Sequence, residues 1–191
     1  MVEPVETRTV LVPHERLPGW VERFSARHGE PLVVREGSRA ILHAPDGAEA
    51  SYEDVDPPAD FGIVLVRRGG YAIGRVEGGV LVAHKTGTRY VQGKTKAGGW
   101  SQQRYARRRA NQADALADAA SEVVARLLPD AGQVFGGGDK ALVAQVLAAR
   151  EAGRELTLEP RWLDVKEPRL VALQAAVTGA RAYEVRLNPL A

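Results

Sequence analysis

The sequence predicts an α+β protein: a mixed, largely antiparallel sheet covered by helices, with a small N-terminal α/β element ahead of it. Three observations carry this fold class. Between Phe61 and Gln92, four short apolar runs alternate with glycine-bearing breaks, the signature of an antiparallel meander. Ala113, Leu116, Ala117, Ala120, Val123, Val124 and Leu127 then recur at the i, i+3, i+4, i+7 spacing of a long amphipathic helix. After Pro129, strand-like and helix-like stretches alternate, which adds crossovers to the meander. With 191 residues, 45% of them hydrophobic and 26% charged, the chain has the profile of a globular protein able to bury a core.

Taken in order, Thr9–Val12 is a short apolar strand. His14–His28 places Leu17, Trp20, Val21 and Phe24 at helical spacing, and Gly29 stops the helix. Pro31–Val34 and Arg39–His43 form two strands across a Glu36-Gly37-Ser38 turn. Asp54–Asp60, DVDPPAD, is acidic with two prolines and marks a boundary, so residues 1–56 form the small N-terminal element, 57–60 a linker and 61–191 the main domain. The meander comprises Ile63–Arg67, Tyr71–Val76, Val80–His84 and Arg89–Gln92, separated by Gly69-Gly70, Gly78-Gly79 and Thr86-Gly87-Thr88. Lys94–Trp100 has no periodicity and reads as a loop. The long helix follows, with Arg104–Arg109 as its exposed first turns and Pro129 beyond its end. Gln133–Phe135 is a strand, Gly136-Gly137-Gly138 a turn, and Asp139–Arg150 a helix capped by Asp139. Leu156–Leu158 and Ala182–Leu187 are strands on either side of a helix near Glu167–Val177.

The absence of cysteine excludes disulfides and thiolate metal sites and points to a reducing compartment. The opening MVEPVETRTV has neither a basic nor an apolar signal region, and no apolar run is long enough to cross a bilayer, so a cytoplasmic location without membrane attachment is expected. The four histidines, His14, His28, His43 and His84, lack metal-ligand spacing, so neither a metal nor a cofactor is expected. Gly136-Gly137-Gly138-Asp139-Lys140 lacks the spacing and the Lys-Ser/Thr pair of a phosphate loop.

Charge is distributed unevenly. Residues 60–112 hold 11 Lys and Arg against 2 Asp and Glu, a surplus of nine, whereas the rest of the chain holds 15 against 22. Such a segment is either a solvated cationic face or a surface for a polyanion. Arginines at a helix N-terminus oppose the partial positive charge of the macrodipole, which favours a nearby anion. RNA rather than DNA is the polyanion expected.

Within that segment stand His84-Lys85-Thr86, then Arg89-Tyr90, Lys94 and Lys96, and then Gly98-Gly99-Trp100-Ser101-Gln102 opening an Arg-rich helix. This run resembles the Vms-type release factors, peptidyl-tRNA hydrolases of ribosome quality control, and within them a bacterial branch. The resemblance covers residues 60–190 in order of elements. It implies a catalytic domain similar to the RNase H-like middle domain of eukaryotic and archaeal class-one release factors. There a Gly-Gly-Gln loop lies between a sheet and a long helix and enters the peptidyl-transferase centre. In this chain Trp100 and Ser101 separate the glycines from the glutamine, and the glutamine is doubled. The pattern Gly-Gly-x-Ser-Gln places the catalytic glutamine at Gln102, with Gln103 as the second candidate, beside Gly98, Gly99 and Ser101.

The implied reaction is hydrolysis of the ester between nascent peptide and tRNA on stalled large subunits. A glutamine does not titrate near neutral pH, so its part is to position water and stabilise the developing oxyanion. Glycines without Cβ atoms let the chain thread a narrow channel. Trp100 either stacks on a base or packs against the helix start. Lys85, Arg89, Lys94, Lys96, Arg104, Arg107, Arg108 and Arg109 would hold ribosomal RNA or the tRNA acceptor end through phosphates. Two other readings fit the same surface: endonucleolytic cleavage of the tRNA 3′ end, and a non-catalytic RNA-binding module.

Overall fold

The computed structural model describes residues 7–88, 100–130, 132–148 and 155–191, and over 100–110 the backbone alone. The chain divides into two compact units, one made of the residues up to Pro58 together with Arg181–Ala191, the other of Ala59–Ala180.

In the first unit, β1 (Arg8–Val12), β2 (Leu32–Glu36), β3 (Arg39–His43), β4 (Glu49–Glu53) and β10 (Tyr183–Leu187) form one sheet in the order β1-β10-β4-β3-β2. Every pairing in it is antiparallel. Helix α1 (Leu17–His28) turns Leu17 and Phe24 into a core with Val12, Leu42, Val185 and Leu187, and ends where Gly29 takes φ 87°. Strand β4 has no counterpart among the sequence expectations. Its EASYE buries Ala50 and Ser51, residues too small and polar to announce a strand.

The final strand corrects the sequence expectation, which assigned all of 61–191 to one domain. Val185 pairs with Val10 and Leu187 with Ala50, so β10 lies between the first and fourth strands of the N-terminal sheet. Its alternating Val185 and Leu187 are buried in that sheet's core, a pairing that no local signal in the sequence encodes.

The second unit comprises β5 (Phe61–Arg67), β6 (Gly70–Glu77), β7 (Val80–Thr88), α2 (Trp100–Leu127), β8 (Gln133–Gly138), α3 (Lys140–Ala148), β9 (Thr157–Leu158) and α4 (Leu170–Ala180). Its sheet order is β7-β6-β5-β8-β9. The meander β5-β6-β7 is antiparallel, while β8 joins β5, and β9 joins β8, in parallel. Counted within the unit, the order is three-two-one-four-five with the second strand reversed, the RNase H-like arrangement. Val64, Val66, Ile73 and Val134 pack under Leu116, Ala117, Val124 and Val143 of α2 and α3. On the other face Phe61, Ile63, Leu65 and Phe135 pack with Leu173, Ala176 and Ala180 of α4. Strand β5 is thus buried on both sides, which is why FGIVLVR reads as a continuous apolar run without alternation.

Two glycine stretches expected as turns are strand instead. Thr86-Gly87-Thr88 continues β7, and the missing side chain at Gly87 makes room for the ring of Tyr71 on the neighbouring strand. Gly136-Gly137-Gly138 completes β8, where Cβ atoms would run into Trp162, Leu163 and the Val66 carbonyl in turn. The expected fourth run of the meander, Arg89–Gln92, lies outside the described residues.

Candidate functional site

Helix α2 carries most of the candidate residues, and its two ends sit in different surroundings. Past its C-terminal end, Leu128 is fully buried and packs on Gly62, at the start of β5; a Cβ on that glycine would stand 2.7 Å from Leu128 Cδ1. Fourteen residues earlier, Asp114 Oδ1 accepts a hydrogen bond from Gln145 Nε2 of α3 at 3.0 Å. Those fourteen residues make about 21 Å of helix, close to the length of a seven-residue strand at about 3.3 Å per residue. The segment from Asp114 to the C-terminus therefore spans the sheet. Another fourteen residues lead back to Trp100, about 21 Å more. The greater part of that segment projects past the ends at which β5 and β8 finish.

Within α2, Trp100, Ser101, Gln102 and Gln103 form the first helical turn. Trp100 was expected as the last residue of the loop Lys94–Trp100, and it opens the helix instead. Ser, Gln, Arg and Ala are all compatible with helix, and only Gly98 and Gly99 oppose it. Arg104, Arg107, Arg108 and Arg109 follow in the second and third turns, and no acidic residue stands in the first turn to offset the dipole. Gly98, Gly99, Arg89, Lys94 and Lys96 lie outside the described residues.

Lys85 is exposed on β7 directly opposite Ile73, whose side chain lies in the core beneath α2. Opposed residues share a face, so Lys85 sits on the α2 side of this edge strand. His84 pairs with Gly74, which faces Leu173 of α4, so the strand's alternation sends His84 and Lys85 to opposite faces. His84 also stands mid-strand, not at the strand end that the sequence suggested. Arg75, one of the eleven cations of the basic segment, is paired with Glu77 at 2.7 Å.

The Gly-Gly-Gly-Asp-Lys stretch opens α3 without offering it to an anion. Asp139 Oδ1 accepts the backbone N–H groups of Ala141 at 3.0 Å and Leu142 at 3.2 Å, so the acidic side chain occupies the place a phosphate would take.

A second cationic feature lies where β5 and β8 end. Arg67, Arg68, Lys166 and Arg169 line a cleft of about 640 Å³ together with Thr88 and Asp139. Arg67 and Arg68 fall within the basic segment 60–112, whereas Lys166 and Arg169 lie far outside it. They are brought in by a connection almost a hundred residues further along the chain. The only signal able to find them was the parallel pairing of β5 with β8, because ligands of open α/β sheets gather where strand order reverses.

No curated protein matches the chain. A family model does: that of the Actinobacteria/chloroflexi VLRF1 release factor, over residues 59–186. That span is about two thirds of the sequence and takes in the whole RNase H-like sheet together with α2. The chain therefore belongs to this bacterial family of Vms-type release factors, with the release-factor role in translation and the interaction with the ribosome that membership carries.

Proposed function

We propose that the protein is a peptidyl-tRNA hydrolase that frees nascent chains from stalled large ribosomal subunits, with Gln102 or Gln103 positioning the attacking water. The observation that carries this reading is the placement of both glutamines in the first turn of a helix that projects beyond its sheet, directly after Gly98-Gly99, in a release-factor chain. A helical turn restrains the backbone that bears the amide, and glycines directly before it in sequence put no Cβ in the way of a close approach. Preorganisation of this kind is what a group that cannot titrate must offer. Lys85, Arg89, Lys94, Lys96, Arg104, Arg107, Arg108 and Arg109 then neutralise phosphates of ribosomal RNA and of the tRNA acceptor end. Gly98, Gly99, Trp100 and Ser101 shape the tip.

The test is release of peptide from purified large subunits carrying peptidyl-tRNA. The parent should release peptide. One of Gln102→Ala and Gln103→Ala should slow release by about 10²–10³, the effect of removing one oxyanion-type donor. Two variants releasing at the parent rate would overturn the assignment. Mass analysis of the tRNA product separates the chemistries: an intact terminal CCA marks ester hydrolysis, and a shortened tRNA marks endonucleolytic cleavage. A parent that binds subunits without any turnover is an RNA-binding module.

A further inference from the structure

We propose that the cleft at the C-terminal ends of β5 and β8 binds backbone phosphates of a single-stranded RNA segment, forming a second anchoring point apart from α2. The ribosomal reading above supplies the identity of the strand, and the proposal rests on that reading for this alone.

The charges facing the cleft do not cancel. Of the two carboxylates that line it among the described residues, Asp139 is engaged in capping α3. Glu167 is held by Arg169 at 2.8 Å. Arg67, Arg68 and Lys166 are exposed and form no ion pair with a carboxylate among the described residues. Three cations converging on one concavity repel one another, an arrangement that an anion relieves. The opening of about 640 Å³ is in the range of small-ligand sites, large enough for a nucleotide unit and far larger than a lone ion needs.

The position is where this topology places ligands. Strand order reverses between β5 and β8, and the crevice opens beyond their carboxyl ends. Most of the N-terminal half of α2 projects past the same ends of the sheet, so RNA that runs along the helix passes this side of the unit. Among the described residues, Thr88 is the one uncharged side chain with a hydrogen-bonding group that lines the cleft, and Gly69, Gly70 and Gly138 add backbone to the lining. Such a wall grips charge and reads no base, so binding is indifferent to sequence.

The shared chemistry is phosphate, and its two possible sources are an RNA backbone and a free nucleotide. The full chain is titrated with a labelled short single-stranded RNA across a salt series, and in a parallel arm with a nucleoside triphosphate. The variants are the triple Arg67→Ala, Arg68→Ala, Lys166→Ala and the charge-keeping double Arg67→Lys, Arg68→Lys. Three phosphate contacts at about 0.7 each lower the magnitude of the salt slope by about two in the triple variant, roughly a hundredfold in affinity near 0.1 M salt. The double lysine variant keeps the parent slope. A triple variant with parent slope and affinity would overturn the proposal, as would a parent that does not bind the RNA. So would triphosphate binding that the triple variant abolishes while RNA binding stays unchanged. Peptide release is scored separately. A slope that moves in a protein without release activity keeps the cleft and removes the hydrolase, and active release with an unmoved slope does the reverse.

Discussion

Gly138 sits at φ 92°, and a Cβ there would run into the Val66 carbonyl of the adjoining strand. From sequence, a glycine triplet reads as a turn, because a turn and a close approach of two backbones draw on the same residue for the same reason. Only the parallel partner β5, seventy residues away, tells the two apart. The same ambiguity hid Gly87, where the Tyr71 ring crosses the strand. Replacing Gly138 with alanine is expected to cost at least about 2 kcal/mol through backbone strain and the clash together. Gly132→Ala, at a position with ordinary φ and no atom of the described residues within 4 Å of the added methyl, serves as the control and should change stability by less than about 0.5 kcal/mol. Denaturant unfolding of the two variants beside the parent measures both, and equal midpoints would refute the packing argument. Residue scale also limits what could be read of the site: Gln102 and Gln103 are marked by the glycines before them, whereas Lys166 carries no mark at all.

Among the elements, α2 is the most legible, because fifteen residues of apolar periodicity leave little alternative to a helix. Its first turn is less so, since Trp-Ser-Gln-Gln has no apolar period and its helical state is set by the turns that follow. Strand β4 shows the opposite limit, a strand defined by its neighbours and not by its composition. The β3–β4 connection carries a dependence on pH. Asp46 accepts the backbone N–H of Ala48 at 3.0 Å and is bonded to Nδ1 of His28 at 2.8 Å, tying the end of α1 to this turn. The backbone hydrogen bond first, and His28 second, hold the Asp46 carboxyl below the usual carboxylate range. A carboxylate depressed in the folded state adds stability above its unfolded value and loses it as pH falls through the folded one. The Tm gap between parent and Asp46→Ala should therefore stay constant near neutrality and close as pH drops below the usual aspartate range. A gap unchanged in acid would show that the group contributes by shape alone.

For the molecule as a whole, the chain leaves the first unit after Pro58 and re-enters it at Arg181. The acidic, proline-bearing stretch before Asp60 marks the departure in the sequence. Nothing comparable marks the return, because Ala182–Leu187 alternates like any half-buried strand and does not say which sheet it will join. The consequence is that the N-terminal sheet closes only after the release-factor unit has been traversed. β10 is the one partner of β1 among the described residues, and it supplies the buried Val185 and Leu187 to the core beneath α1. Removing Arg181–Ala191 should therefore unravel the first unit selectively. Backbone amides of β3 and β4 are expected to lose their protection from hydrogen exchange in the truncated chain. Those of β5 and β6, paired inside a sheet that lies wholly within Ala59–Ala180, should keep theirs. Loss of protection in both sheets together would mean that the two units fold as one, and that the inserted release-factor unit depends on the sheet into which it is inserted.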